Sequence, residues 1–209
     1  LRLKIHGILD RFRLRRFDAV ITVSPSSASS APLALVAKES LHVIANGIDV
    51  ERFRSECTPK ADPRREFGVL PHQLLLLSLG RLSAQKGFST LLQAVSNLRE
   101  TLDHLTLVIA GEGPERSILE AMVLDLGLEN VVHMAGHRED VADLLQAADL
   151  VVLPSLNEGL PYAALEAMAL GKAIVASRVG GLSDLLQDGR YGCLVRPDHG
   201  PTLTEAMRC

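Results

Sequence analysis

A doubly wound α/β domain on a parallel sheet, preceded by part of a second unit of the same kind, is the fold class that this 209-residue sequence predicts. Two observations predict it. Short β-rich apolar runs recur after residue 70, each followed by a glycine-containing loop and then a stretch of helical period, the rhythm of βαβ units. Before residue 47 the strand signal recurs only twice, over a stretch too short to bury a core of its own.

Taken in order, residues 19–23 and 42–45 read as the first two strands, separated by a Ser/Ala/Pro-rich segment that is at best an interrupted helix. Asn46-Gly47 is a turn signal, and residues 51–62 are polar and proline-containing, like a linker. The expected division is residues 1–46 as the tail of a first domain, 47–69 as linker region, and 70–209 as the main domain. In the main domain the candidate strands are Leu74–Leu79, Leu105–Ala110, 131–134, Leu150–Leu153, 173–176 and Cys193–Val195. Helical spacing fills the intervals: Leu91, Leu92, Val95 and Leu98 share one face of a helix over Phe88–Arg99, and residues 115–126 form another.

Composition narrows the function classes. Hydrophobic residues make up 47% and charged residues 22%, as in ordinary globular proteins, so disorder is excluded. Lys+Arg 22 against Asp+Glu 25 leaves a formal charge of −3, which argues against a nucleic-acid partner and requires any bound anion to be held locally. The longest apolar runs fall far short of the roughly 20 residues that span a bilayer. Cys57, Cys193 and Cys209 fit neither a disulfide framework nor a zinc site, which points to a reducing, cytoplasmic compartment. The opening stretch is basic (Arg2, Lys4, Arg11, Arg13, Arg15, Arg16) without the apolar core of a signal peptide, and its first residue is Leu1, so the chain is expected to be truncated there. Leu1, Ile5, Ile8 and Phe12 follow helical spacing; such a helix packs on its own domain or could touch an anionic membrane surface.

In open α/β sheets ligands bind beyond the carboxyl ends of the strands, so the residues just after each strand carry the functional argument. After the first main-domain strand, Gly80-Arg81-Leu82-Ser83-Ala84-Gln85-Lys86-Gly87 places Lys86 just before a helix. A cation there opposes the helix dipole and is better explained by a shared anion, with Arg81 completing a two-cation clamp. After the second, Gly111-Glu112-Gly113-Pro114 either brings backbone close to a ligand or simply makes the strand-to-helix turn, with Pro114 suited to the first helical position. After the third, His137 and Arg138 lie on the same rim, with Asp140 as a helix cap. The fourth strand leads into Pro154-Ser155-Leu156-Asn157-Glu158-Gly159-Leu160-Pro161, and Pro161 starts a helix in which Glu166 is the one ionisable residue between Ala163 and Leu170. A carboxylate there wants donors, and ribose or sugar hydroxyls supply them as well as a structural partner would. Two carboxylates are also compatible with acid/base hydrolysis.

The segments G-R-L-S-A-Q-K-G, G-E-G-P-E-R, P-S-L-N-E-G-L-P-Y-A-A-L-E-A-M-A-L-G-K and V-G-G occur in the order seen in glycosyltransferase family 4, which this sequence resembles over residues 20–197. N-G-I-D and D-G-R-Y-G-C-L-V-R-P fit the same pattern. The resemblance implies a GT-B fold of two facing Rossmann-like domains, a nucleotide-diphosphate sugar donor, transfer with retention to a glycan or lipid-linked acceptor in polysaccharide or glycoconjugate assembly, and no metal. It gives Arg81, Lys86 and Glu158 the catalytic part. Gly80, Gly111, Gly113, His137, Arg138, Glu158, Gly159, Leu160, Pro161 and Glu166 become the donor-binding set, with Glu158 by the sugar and Glu166 on the ribose. Two departures stand out: Leu182-Ser183-Asp184 follows Gly180-Gly181 where the family commonly has Pro-Glu, and Ala45 replaces a common proline. With only the tail of the acceptor-side domain, the isolated chain is expected to bind donor and to transfer poorly. The rival readings are a non-catalytic sugar-nucleotide-binding module and a phosphorylase or hydrolase on the same fold.

Overall fold

The computed structural model describes residues 17–29, 33–56, 61–102 and 104–208, together with Leu14. The basic opening helix read from Leu1, Ile5, Ile8 and Phe12 lies outside the described residues, as do Cys57 and Cys209; Cys193 is exposed and unpaired.

Two parallel sheets organise the chain. The first pairs β1 (Val20–Thr22) with β2 (Leu41–Val43). The second holds β3 (Leu74–Leu79), β4 (Leu105–Ala110), β5 (Val132–Gly136), β6 (Leu150–Leu153), β7 (Ala173–Ser177) and β8 (Cys193–Val195). Its spatial order is β5-β4-β3-β6-β7-β8, every pair parallel. The chain therefore winds outward from β3 to β5, crosses back to lay β6 beside β3, and winds outward again. That reversal opens a crevice at the carboxyl ends of β3 and β6.

The apolar run of β3, broken only by Ser78, reflects cover on both faces. Leu76 points into a layer with Phe88, Leu91, Leu92, Val95 and Leu98 of helix α4 (Phe88–Arg99; α1 to α3 are given below) and Leu119 of α5 (Arg116–Asp125). Leu75 and Leu77 point the other way, onto Leu144 and Leu145 of α6 (Val141–Ala147), Ala164 and Ala167 of α7 (Tyr162–Ala169), and Leu182 of α8 (Gly180–Leu185). Helix α9 (Gly200–Arg208) closes the first layer with Leu203 and Met207.

Several expected boundaries shift. The strand read at 131–134 starts one residue later and runs to Gly136, across a register break opposite Ile109 and Ala110. Pro114 does not open the helix: Glu115 is its cap and Arg116 its first residue. Pro161 likewise caps α7 from an extended conformation instead of opening it. Among its described residues the Ser/Ala/Pro segment forms a four-residue α1 (Pro25–Ala28), capped by the Ser24 hydroxyl, and two single 3-10 turns. The polar stretch read as linker carries two helices, α2 (Val50–Glu56) and α3 (Pro63–Glu66), capped by Asp49 and Asp62. Their apolar signal is slight: Phe53 in α2 and Phe67 just after α3 are packed on the second layer. Arg54 further donates to Ala169 O at 2.6 Å, satisfying the carboxyl end of α7. Among the described residues no helix is long and apolar enough to cross a membrane.

Candidate functional site

Backbone packing brings the loops after β3 and β6 together. Leu156 N–H donates to Gln85 O at 2.7 Å, and Gly87 lies so close to the Pro154 carbonyl that a Cβ would stand 2.1 Å from its oxygen. Across this seam the Lys86 ammonium meets Glu158 Oε1 at 2.5 Å, and Ser155 Oγ donates to the same oxygen at 2.8 Å. The loop after β4 is seated equally closely. Gly80 and Gly111 both have a φ near +150°, open to glycine, and a Cβ on Gly111 would lie 1.8 Å from Gly80 O.

These loops and the first turn of α7 enclose a cleft of about 500 Å³. Of the residues read from the sequence, it collects Gly80, Arg81, Lys86, Gly111, His137, Arg138, Glu158, Pro161 and Glu166. Gly113, Gly159 and Leu160 do not line it. Gly113 backs onto the Leu82 backbone, where a Cβ would come within 2.3 Å of the carbonyl oxygen; Gly159 lies under Val23; Leu160 is buried, its carbonyl accepting from Asn46 Nδ2 at 2.7 Å.

The charges in the cleft are not equivalent. The Arg81 guanidinium is exposed and has no hydrogen-bond or ion-pair partner among the described residues. Arg138 is gripped by Glu66 at 2.5 and 2.8 Å and by Asp140 at 2.7 and 2.8 Å, and stacks on Phe67. Hydrogen bonds from Arg138 lower the pKa values of both carboxyls, and the guanidinium is correspondingly held charged. Asp140 therefore caps α6 by position without a side-chain cap bond, its carboxylate being taken by Arg138. Glu66 was not visible as a partner in the sequence, because it arrives from a helix inside the expected linker.

Glu166 sits half-buried on the cleft wall with no donor among the described residues, and burial raises its carboxyl above the ordinary 4.5. The folded state thus holds this proton at pH values where the unfolded chain has released it, so stability falls as pH rises from the unfolded value through the folded one. Glu166→Gln is expected to raise the thermal midpoint at neutral pH and to remove that slope, checked by thermal unfolding across the acid to neutral range.

Asp184, in the stretch that departs from the family's common Pro-Glu, turns away from the cleft. It accepts from Ser26 N–H at 3.0 Å and from Ser26 Oγ at 2.7 Å. Tyr162, Val141, Ala163 and Glu112 line the cleft without having been singled out as ligand-binding; Glu112 is paired with Arg116.

Comparison with known proteins fits this geometry. Residues 73–209 match the family described as glycosyl transferases group 1. An uncharacterized glycosyltransferase of Methanocaldococcus jannaschii, MJ1607, is 35% identical over 183 residues, covering 85% of this chain and 47% of its own. A D-inositol 3-phosphate glycosyltransferase of Corynebacterium kroppenstedtii is 36% identical over 171 residues, 75% of this chain and 37% of its own. The chain thus spans about half the length, or less, of the curated relatives it matches. Among solved structures, Anabaena Alr3699/HepE in complex with UDP and glucose aligns with a TM-score of 0.83 at 28% identity, over 97% of this chain and 56% of that one. Sucrose-phosphate synthase from Thermosynechococcus elongatus aligns at 0.81 and 25% identity, over 98% and 52%. These neighbours are GT-B proteins, and the α/β, GT-B fold class read from the sequence is the one observed.

Proposed function

We propose a function that proceeds from one fact: the chain belongs to the group 1 glycosyl transferases. The reading is a donor site that binds a nucleotide-diphosphate sugar and serves its transfer, with retention, to an acceptor hydroxyl on a glycan or lipid-linked carrier. The observation that carries it is the cleft itself, where an unpaired Arg81, the Lys86–Glu158 pair, the start of α7 and an unpartnered Glu166 converge at the reversal point of the sheet.

Each group has a task suited to its surroundings. Arg81 and Lys86 neutralise the diphosphate, the group on which charge grows as the bond to the sugar breaks. The open N–H groups of the first turn of α7 face the same anion. Glu166, short of donors, accepts from the ribose hydroxyls; Glu158, already oriented by Lys86 and Ser155, accepts from the sugar. Charge neutralisation in this scheme uses side chains and a helix terminus, with no metal. Arg138, with both edges of its guanidinium occupied, contributes its position and the wall of the base subsite, not a phosphate contact. Transfer itself needs an acceptor fixed against the donor, a contribution of roughly 7 to 11 kcal/mol that a facing domain provides.

The test is calorimetry with UDP, GDP and ADP and their glucose conjugates, followed by transfer assays with sugar and lipid acceptors with and without the upstream domain. Micromolar binding of one nucleotide series is the expected result; no binding by any of them overturns the reading, and binding without transfer in the presence of the upstream domain would favour the non-catalytic module. Within the scheme, Glu166→Gln weakens even the sugar-free nucleotide, roughly tenfold, as the loss of a charge-assisted hydrogen bond would. An unchanged affinity would remove the ribose assignment.

A further inference from the structure

The loop carrying Glu158 is held from inside the six-stranded unit by Lys86 and Ser155, and also from residues that precede that unit. Asn46 donates to Leu160 O, Val23 lies over Gly159, where a Cβ would be 2.8 Å from its Cγ2, and Gly181 N–H donates to Glu158 O at 3.3 Å. Gly180 and Gly181 start α8, and α8 is in turn gripped by α1, because both the N–H and the hydroxyl of Ser26 point at the two oxygens of Asp184. Residues 159 and 160 thereby touch Val23 and Asn46, and residue 158 is linked to Ser26 through Gly181 and Asp184 of α8.

From this we infer that Ser26 and Asp184 form a latch through which the segment before residue 47 sets the position of the Glu158 loop, making both of them positioning residues for the sugar end of the cleft. The inference rests on the donor-site reading above. The physical basis is restriction of freedom: a loop with no ladder hydrogen bonds of its own holds one conformation only when its neighbours fix it, and two charge-assisted bonds on one carboxylate fix α1 to α8, whose Gly181 holds the Glu158 carbonyl. Asp184 itself does not line the cleft, so its effect runs through α8 and the loop.

Ser26→Ala, Asp184→Asn, their combination and Asp184→Glu in this 209-residue chain test the latch, with UDP and UDP-glucose as probes. Asp184→Asn should weaken UDP-glucose roughly tenfold while UDP changes little, and the double variant should be no weaker than Asp184→Asn alone. Asp184→Glu, which keeps the carboxylate, should recover much of the loss. Amide hydrogen exchange at residues 158–160, measured without ligand, should accelerate in Ser26→Ala and Asp184→Asn and return toward the original rate in Asp184→Glu. Unchanged exchange at 158–160 in the folded variants would overturn the latch, as would parallel losses for UDP and UDP-glucose. If the unsubstituted chain bound neither probe, the donor-site reading would fall and the exchange data alone would decide the latch.

Discussion

Lys86→Ala is expected to lower affinity for a nucleoside diphosphate roughly 30- to 150-fold, about 2 to 3 kcal/mol, while leaving nucleoside affinity nearly unchanged. Two losses combine at this position. The substitution removes one cation of the proposed clamp, and it leaves Glu158, whose side chain is only 12% exposed, with Ser155 as its sole remaining partner at the cleft. A carboxylate so placed repels the incoming diphosphate that the ammonium had attracted. Arg81→Ala should cost less, because its guanidinium is exposed and solvated before the ligand arrives. Calorimetry on both variants with nucleoside, monophosphate and diphosphate checks the ranking. Equal losses across the three ligands would remove the clamp from the argument.

Gly181→Ala should destabilise the fold by about 3 kcal/mol, lowering the thermal midpoint by roughly 6 to 12 °C for a chain of this size. The added methyl would be built 1.4 Å from Gly159 O and 2.5 Å from its carbonyl carbon, so backbone has to move where no flexible side chain can yield. Either α8 lifts off the sheet, exposing fully buried Leu182, or the Glu158 loop retreats from the cleft. The second route predicts loss of sugar-nucleotide binding in protein that is still folded. Thermal unfolding together with ligand titration separates the two, and a variant indistinguishable from the parent in both would contradict the packing described.

Strand positions were legible because parallel strands buried on both faces read as near-continuous apolar runs, broken only by Ser78 and Thr106: Leu74–Leu79, Leu105–Ala110, Leu150–Leu153 and Cys193–Val195 needed no adjustment. Helices α2 and α3 were not, since Phe53 and, just past α3, Phe67 are their main ties to the core and the rest presents a polar surface that resembles linker. At the cleft, the sequence located Arg81, Lys86, Glu158 and Glu166 by their places after strands. It could not show that Lys86 and Glu158 touch, because their meeting depends on β6 returning to the side of β3 after two intervening units. The partners of Arg138 and Asp184 were hidden for the same reason: Glu66 and Ser26 are 72 and 158 positions away. Glycines were ambiguous in a different way. Gly113 could make room for a ligand or simply for the turn; its space goes to the Leu82 backbone, and only coordinates distinguish the two uses.

The charges facing the cleft have a kinetic consequence. Arg81, Lys86 and Arg138 are matched there by Glu112, Glu158 and Glu166, and the chain as a whole carries a formal −3. A dianionic ligand approaching from solvent therefore meets no net attraction beyond a Debye length and is not steered inward; it discovers the cations only at close range. Association should proceed at the unassisted diffusional rate and respond weakly to ionic strength, whereas the dissociation rate, set by close ion pairs, should carry most of whatever salt dependence the affinity has. Stopped-flow measurements with a fluorescent UDP analogue at low and high salt would separate the two rates, and a steep fall of the association rate with salt would mean that a field from elsewhere on the protein guides the ligand in.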